Sequence, residues 1–201
     1  MDIDIEKLRG KYVYLDFLAP VYRETFRSLA KNELIWEFNK MLPIDDRYDA
    51  AYDDYFNAAL DKNGLGGQQT FVIRKITDGS CIGMTRLYQI NPKEKTVLIG
   101  YTWYIPGVWG KIYNKECKLL LLQYVFEEMK FNRAELRVAH QNIRSQKAVE
   151  KIGAIKEGVL RKDGYRNDGS IRHTVVYSVI DDEWPQTKEN LLGLIAESKN
   201  D

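Results

Sequence analysis

The sequence is poor in the residues that carry metal, disulfide and acid–base chemistry. Its 201 residues include two cysteines and two histidines, and Cys81 and Cys117 stand far apart, without a CxxC or Cys/His spacing. A structural disulfide or a zinc site is therefore not expected. Lysine and arginine number 30 against 29 aspartate and glutamate residues, a formal net charge of +1. This balance lacks the basic excess by which proteins bind nucleic acid or anionic membranes.

Long apolar segments are absent as well. The longest purely aliphatic run, residues 119–122, falls far short of the roughly 20 apolar residues that a membrane-spanning helix needs. The chain opens with Met-Asp-Ile-Asp-Ile-Glu, which is acidic where a secretory signal is basic. We therefore predict a cytoplasmic protein without a membrane segment, a metal or a nucleic-acid partner.

The composition is that of an ordinary globular domain. Hydrophobic residues make up 44% and charged residues 29% of the chain, which supports a hydrophobic core of normal size. The length suits one domain. We predict a single domain over residues 1–201, with its core at about 10–182 and a C-terminal helix at 184–197.

Alternating hydrophobicity predicts seven strands. They are expected at residues 12–17, 70–76, 81–90, 96–104, 133–140, 155–161 and 172–180, with loops at 63–67 and 167–170. Helical spacing predicts a helix after Pro20, and another that is capped by Asp45 or Asp46 and buries one stripe of aromatic residues. Further helices are expected from about Asn114, over 142–153 and from Trp184.

The order of these elements indicates the topology. Residues 70–104 form an antiparallel meander, whereas the strands at 96–104 and 133–140 are separated by a helix. Those two strands are therefore expected to lie parallel, through a right-handed crossover. We predict an α/β (mixed α+β) fold, in which a mostly antiparallel sheet of about seven strands has helices on both faces.

Two segments are candidates for a ligand site. The first, residues 101–114, joins a central strand to a helix N-terminus, where bare backbone N–H groups and the helix dipole favour phosphate. Gly110 would let this loop approach a pyrophosphate closely, and Lys111 would add positive charge. The second begins with Asn142 at a strand–helix junction, where an N-cap is the simplest interpretation, and Ser145 follows one turn later.

Together these segments resemble the GNAT acyltransferase superfamily, and within it the RimJ/RimL-type N-acetyltransferases. The resemblance covers roughly residues 10–195. It is densest in Ile-Gly-Tyr-Thr-Trp-Tyr at 99–104, Trp-Gly at 109–110, Asn-Lys-Glu-Cys-Lys-Leu-Leu-Leu-Leu at 114–122, Asn-Ile-Arg-Ser at 142–145 and Lys-Ile-Gly-Ala at 151–154. It implies a V-shaped opening between the strands that end at Tyr104 and His140, with a coenzyme A (CoA) thioester bound there.

The resemblance also implies roles for individual residues. Pantetheine is expected to pair with the exposed strand edge around Tyr104, Asn142 to bond the pantetheine arm, and Ser145 to lie near the sulfur. The pyrophosphate is expected on the loop formed by Val108, Trp109, Gly110, Lys111, Ile112, Tyr113 and Asn114. The implied co-substrate is acetyl-CoA or another short acyl-CoA. The implied partner is an amine acceptor, either a protein N-terminus or a small molecule.

The sequence departs from the family pattern at its acid–base positions. Val149 stands where many members carry a tyrosine acid, and Leu98 where a glutamate base is often proposed. Gly107 and Ile112 replace the first and last residues of the loop motif, which indicates an altered loop shape. The remaining catalytic candidates are Ser145, His140 and Asp163.

Without the usual acid and base, deprotonation of the acceptor amine becomes a larger obstacle than protonation of the leaving thiolate. At pH 7 a lysine amine with a pKa of about 10.4 loses its proton at a cost of about 4.6 kcal/mol, against about 1–1.4 kcal/mol for an α-amine. We therefore expect an α-amine or another weakly basic nitrogen, with Tyr14, Tyr88 and Tyr165 near the acceptor.

A succinyl-CoA-dependent transferase and a non-catalytic acyl-CoA sensor stay open as alternatives. A homodimer through a sheet edge or the last helix also stays open.

Overall fold

The computed structural model describes residues 3–38, 41–62, 64–166 and 168–198. Its strands are β1 Val13–Phe17, β2 Gln68–Lys75, β3 Cys81–Asn91, β4 Thr96–Tyr104, β5 Arg133–Ala139, β6 Ile155–Tyr165 and β7 Ile171–Ile180. Its α-helices are α1 Arg23–Ala30, α2 Glu33–Trp36, α3 Tyr48–Leu60, α4 Ile112–Gln123, α5 Ile143–Lys151 and α6 Trp184–Glu197. Asn63 and Asn167, in the two predicted loops, and both ends of the predicted domain lie outside the described residues.

The seven strands form one mixed sheet in the order β1-β2-β3-β4-β5-β7-β6. Neighbouring strands are antiparallel, apart from β4 and β5, which are parallel. Helix α4 forms the crossover between these two strands, as their order along the chain predicted. The predicted fold class is confirmed.

Strands β4 and β5 separate soon after they meet. In the described residues their pairing runs from Thr96 opposite Arg133 to Leu98 opposite Glu135 and goes no further, although β4 continues to Tyr104. The backbone edge of residues 99–104 therefore faces an opening instead of a neighbouring strand. This opening is the V-shaped cleft that the family resemblance implied.

Helices cover both faces of the sheet. On one face α1, α2 and α3 bury an aromatic core against residues that include Met84 and Trp103. All residues of the predicted α3 stripe are buried there: Tyr48, Tyr52, Tyr55, Phe56 and Ala59. On the other face α4, α5 and α6 contribute to a second core, which includes Leu121 and Leu191.

Two of the predicted boundaries were wrong. Neither Asp45 nor Asp46 caps α3, because Arg47 occupies the N-cap position and no side chain caps the helix there. The Asp45 carboxylate instead accepts the Arg47 backbone N–H at 2.9 Å, in the turn before the helix. Strand β6 runs to Tyr165, four residues beyond the predicted end at residue 161. It is a largely exposed edge strand with a register shift near its end, so its hydrophobic alternation is lost there.

A buried carboxylate fixes α4 to the start of β1. Glu116 is 5% exposed, and its oxygens accept the backbone N–H groups of Lys11, Tyr12 and Val13 at 2.7–2.8 Å. Gly10 lies so close that a Cβ there would stand 2.5 Å from Glu116 Cδ. Hydrogen bonds as well as apolar packing therefore hold α4, and with it the loop before α4, in place.

Candidate active site

The C-terminal end of β4 turns backbone groups toward the opening. The Ile105 N–H donates to the Ile82 carbonyl on β3 at 2.9 Å, so alternation along the strand turns the Tyr104 amide to the other side. The Tyr104 carbonyl accepts the indole N–H of Trp109 at 2.9 Å. The Tyr104 side chain points into the core beside Cys117, where burial raises its pKa well above the ordinary value. Tyr104 therefore borders the opening with its backbone.

The N-terminus of α4 is open to an anion. A 3₁₀ turn, Pro106–Val108, leads into the loop, and Gly110 has a φ of 75°, a conformation that favours glycine. Lys111 occupies the N-cap position, no side chain caps this described helix, and its first turn holds no acidic residue. The first amides of a helix lack intrahelical acceptors. These free N–H groups and the helix dipole form a site that suits a phosphate.

The N-terminus of α5 forms the opposite wall of the opening. Asn142 Oδ1 accepts the Ser145 backbone N–H at 3.0 Å, so the N-cap suggested by the sequence is present. Gln146 ties this helix to the end of β5 by donating to the His140 carbonyl at 2.6 Å. Within the described residues, the Asn142 side-chain NH2 and the Ser145 hydroxyl make no hydrogen bond. Both groups are therefore available to a ligand.

A cation–aromatic contact joins the two walls. The Arg144 guanidinium, on α5, lies 4.0 Å from the centroid of the Trp109 ring, in the loop before α4. Because that loop follows β4 and α5 follows β5, the contact crosses the mouth of the opening. Nothing in the sequence pattern pointed to Arg144, since the two residues meet only through the tertiary fold.

The three acid–base candidates occupy different parts of the sheet. His140 is exposed at the end of β5, and its ring centroid is 6.3 Å from that of His173 on β7. Asp163 lies on the edge strand β6, with its carboxylate 3.8 Å from Arg172 Nε. Ser145 and His140 thus belong to the β5–α5 junction that borders the opening, whereas Asp163 belongs to the β6–β7 hairpin.

Arg166 links that hairpin to two other segments. Its guanidinium donates to the Phe38 carbonyl at 3.1 Å, to the Ile171 carbonyl at 2.7 Å and to the Gln141 side chain. Phe38 follows α2 and Gln141 precedes α5, so this buried arginine gathers three segments beside the end of β5. The sequence pattern does not reveal Arg166, because two of its partners are backbone carbonyls, that of Phe38 after α2 and that of Ile171 at the start of β7.

A buried lysine lies between α4 and β4. Lys118 is 6% exposed, and its Nζ donates to Thr102 Oγ1 at 3.4 Å. The Thr102 and Thr85 hydroxyl oxygens lie 2.8 Å apart. Burial lowers the pKa of Lys118, since the charged amine is removed from water.

The groups that border the opening are backbone amides, a hydroxyl, a side-chain amide and an imidazole. Within the described ranges, no three histidine, cysteine, aspartate or glutamate side chains gather where they could hold a metal ion. Cys81 and Cys117 are free thiols. In the same part of the chain, every helix is too short or too polar to cross a membrane.

A mixed sheet that splays beside an uncapped helix N-terminus is the arrangement expected of an acyltransferase. A family profile described as "Acetyltransferase (GNAT) domain" matches residues 17–155. Because this match covers more than half of the chain, the protein belongs to the GNAT family. The family predicted from the sequence is confirmed.

Individual relatives agree with the RimJ/RimL-type branch. The chain is 30% identical over 162 residues to a Bacillus subtilis (strain 168) protein named as a probable N-acetyltransferase, YjcK, covering 78% of this chain and 87% of YjcK. It is 35% identical over 112 residues to YdaF of the same strain, which is named for ribosomal N-acetyltransferase activity. That match covers 55% of this chain and 60% of YdaF. A crystal structure described as an acetyltransferase from T. thermophilus has a TM-score of 0.80 at 29% identity, covering 92% of this chain and 95% of that one.

Proposed function

We propose that this enzyme transfers an acyl group, with acetyl-CoA as donor, directly to an amine. The observation that carries the proposal is the uncapped N-terminus of α4 beside the unpaired edge of β4. The helix N-terminus suits the diphosphate of CoA. The strand edge suits the two amide groups of pantetheine, which pair with a backbone as another strand would.

Each wall contributes to donor binding. The diphosphate is held by the loop and first turn of α4: Val108, Trp109, Gly110, Lys111, Ile112, Tyr113 and Asn114. Arg144, stacked on Trp109, adds a positive charge at the same mouth. The Tyr104 backbone and the Asn142 NH2 group orient pantetheine, and Ser145 lies toward the sulfur.

The reaction is direct aminolysis of the thioester. The neutral amine attacks the carbonyl carbon and forms a C–N bond, while backbone N–H groups at the end of β4 stabilise the oxyanion. The C–S bond then breaks, and the thiolate takes a proton from water, either directly or through the Ser145 hydroxyl, which gives its proton to sulfur and regains one from water. A thiol pKa of about 8.5 makes this protonation easy. The amine's proton passes to water, with His140 and Asp163 as candidate relays.

The acceptor is an α-amine. Among the described residues that border the opening, none is a strong base that could deprotonate a lysine acceptor. An α-amine costs about 1–1.4 kcal/mol to deprotonate at pH 7, and positioning of the two reactants supplies much of the acceleration. The name of YdaF, a ribosomal N-acetyltransferase, supports a ribosomal acceptor; we propose a protein N-terminus, with a small amine as the other candidate. Cytoplasmic location stays a prediction from the sequence, and homodimer formation stays an open possibility.

Native mass spectrometry of the purified protein tests the donor. A bound CoA species would report the acyl group, and it would distinguish acetyl from succinyl donors. Thiol release is then measured with matched peptides that offer an α-amine or a lysine amine. Faster reaction at the α-amine is expected. Faster reaction at lysine would contradict the choice of acceptor, and CoA binding without product from any amine would favour the sensor.

A further inference from the structure

Positive side chains gather on both walls at the mouth of the opening. Arg144, Lys147 and Lys151 are exposed on α5, and their spacing of three and four residues places them on one face of that helix. Lys111, at the N-cap position of α4, lies on the other wall. None of these four side chains makes an ion pair within the described part of the chain. Their charges are therefore available to an anionic ligand.

Arg144 differs from the lysines because an anchored ring holds it. The Trp109 indole N–H donates to the Tyr104 carbonyl at 2.9 Å, so the ring is attached to the end of β4. The guanidinium carbon of Arg144 lies 4.0 Å from the centroid of this ring, the shortest cation–aromatic distance among the described residues. The ring therefore limits the positions that this exposed side chain can take.

Stacking occupies a face of the Arg144 guanidinium and leaves its hydrogen-bond donors unused. The five N–H groups of a guanidinium lie in its plane. In the described ranges none of them donates to another residue. Because Arg144 is exposed, a ligand can reach these donors. Paired donors in one plane are the arrangement that binds two oxygens of a phosphate.

CoA has a phosphate group for each wall. Its diphosphate suits the N-terminus of α4, where backbone N–H groups are free. Its 3′-phosphate is attached to the ribose, on the side of the diphosphate away from pantetheine. When the pantetheine arm runs inward along β4, the ribose and the 3′-phosphate accordingly stay at the mouth. Arg144 is the fixed cation at that place.

We propose that Arg144 binds the 3′-phosphate of the donor, and that Lys147 adds positive charge one turn further along α5. Arg144 is then a specificity-determining residue for the donor. It favours acyl-CoA over acyl carriers that have the same pantetheine arm but no 3′-phosphate, such as dephospho-CoA and protein-bound phosphopantetheine. This inference rests on the proposed function and specifies its donor.

Titration calorimetry of the wild-type protein with CoA and with dephospho-CoA tests the proposal. The two ligands differ in the 3′-phosphate alone, and the measurement needs no acceptor. We expect CoA to bind at least about fivefold more tightly, equivalent to about 1 kcal/mol. This preference should decrease as the salt concentration rises, because Arg144 is exposed. Equal affinities for the two ligands would overturn the inference.

Variants then assign the preference to Arg144. Arg144→Met is expected to lower the affinity for CoA to that for dephospho-CoA, and to leave the affinity for dephospho-CoA unchanged. Arg144→Lys should keep part of the preference, since an ammonium group retains the charge but lacks the paired donors. Lys151→Met is the matched control, because it removes one exposed charge from the same face of α5, about 10 Å further along the helix. Its preference should stay at the wild-type value.

Two results with the variants would overturn the inference. If Arg144→Met weakened both ligands by the same factor, Arg144 would bind the diphosphate that they share. If Lys151→Met reduced the preference as much as Arg144→Met, the preference would come from the overall charge of α5. A wild-type protein that binds neither ligand would contradict the proposed function itself, whereas equal binding of both would contradict this inference alone.

Discussion

At the scale of single residues, the donor loop depends on the conformation of Gly110. Its φ of 75° lies in the left-handed region, whereas neighbouring Gly107 has no positive φ. A Cβ at either glycine would meet no described atom within 4 Å, so the two positions differ in backbone strain and not in space. A substitution at Gly110 should therefore act on donor binding through the backbone conformation of the loop and not through a steric clash.

Gly110→Ala is expected to weaken the binding of acetyl-CoA. A non-glycine residue in the left-handed region costs about 1 kcal/mol, which corresponds to an increase of roughly fivefold in the KM for acetyl-CoA. Gly107→Ala is the control and should leave this KM unchanged. Steady-state kinetics at saturating acceptor measure both values. Equal KM values for the two variants would show that the loop conformation does not hold the donor.

Lys118 is a second residue whose environment makes a definite prediction. Its folded-state pKa lies below the ordinary value, so between that lowered pKa and about 10.5 the unfolded chain binds more protons than the folded one. Stability should rise with pH through this window. Lys118→Met removes the buried amine, while Thr102 keeps its contact with Thr85.

The Lys118→Met variant should be more stable than the wild type at pH 7, by about 1–3 kcal/mol. It should also lose the increase in stability with pH. Urea unfolding at pH 7 and pH 10 measures both effects, with Lys147→Met, at an exposed position on α5, as the control. A variant less stable than the wild type at pH 7 would mean that the Thr102 hydrogen bond outweighs the burial of the amine.

At the scale of elements, Glu116 is the link between α4 and β1. Its carboxylate accepts three backbone N–H groups. Glu116→Gln would turn an NH2 group toward donors and leave at least one of them unsatisfied. We expect a loss of about 2–3 kcal/mol in the free energy of unfolding.

The control for this change is Glu128→Gln, later in the same helical segment. Glu128 pairs with Lys7 at the surface, with 37% of its side chain exposed, so its replacement should change stability by less than about 1 kcal/mol. Chemical unfolding of both variants gives the comparison. Similar losses in the two would show that the three backbone hydrogen bonds do not hold α4 in place.

The regular elements explain why much of the fold could be predicted. Strand β4 matches its predicted bounds, and the α3 stripe is buried as its spacing indicated. These signals are local, because each depends on residues within one strand or helix. The cap of α3 was misassigned because aspartate also favours the turn that precedes a helix, where Asp45 is found.

The contacts between elements explain what could not be predicted. The splay of β4 from β5 leaves no periodic signal, and it was expected through the family resemblance alone. Arg86 lies in a strand where a charged residue would ordinarily face solvent, yet α3 covers that face and buries it. Arg144 and Arg166 likewise acquire their partners from distant segments.

At the scale of the whole molecule, CoA binding requires that the two walls of the opening act as one site. The anion site precedes α4, the pantetheine edge belongs to β4, and Asn142 and Ser145 begin α5 beyond the opening. Strand pairing at residues 96–98 and 133–135 fixes the base of this opening. A CoA molecule is the ligand whose diphosphate and arm would engage all three parts together.

Titration calorimetry with CoA and with pantetheine tests this claim most directly. Pantetheine has the arm and thiol of CoA but no phosphate groups, so the difference between the two ligands measures anion binding at the mouth, to which the α4 N-terminus contributes. We expect that one CoA binds per chain and that it binds at least about tenfold more tightly than pantetheine. Equal affinities, or no heat from CoA at millimolar concentration, would contradict it.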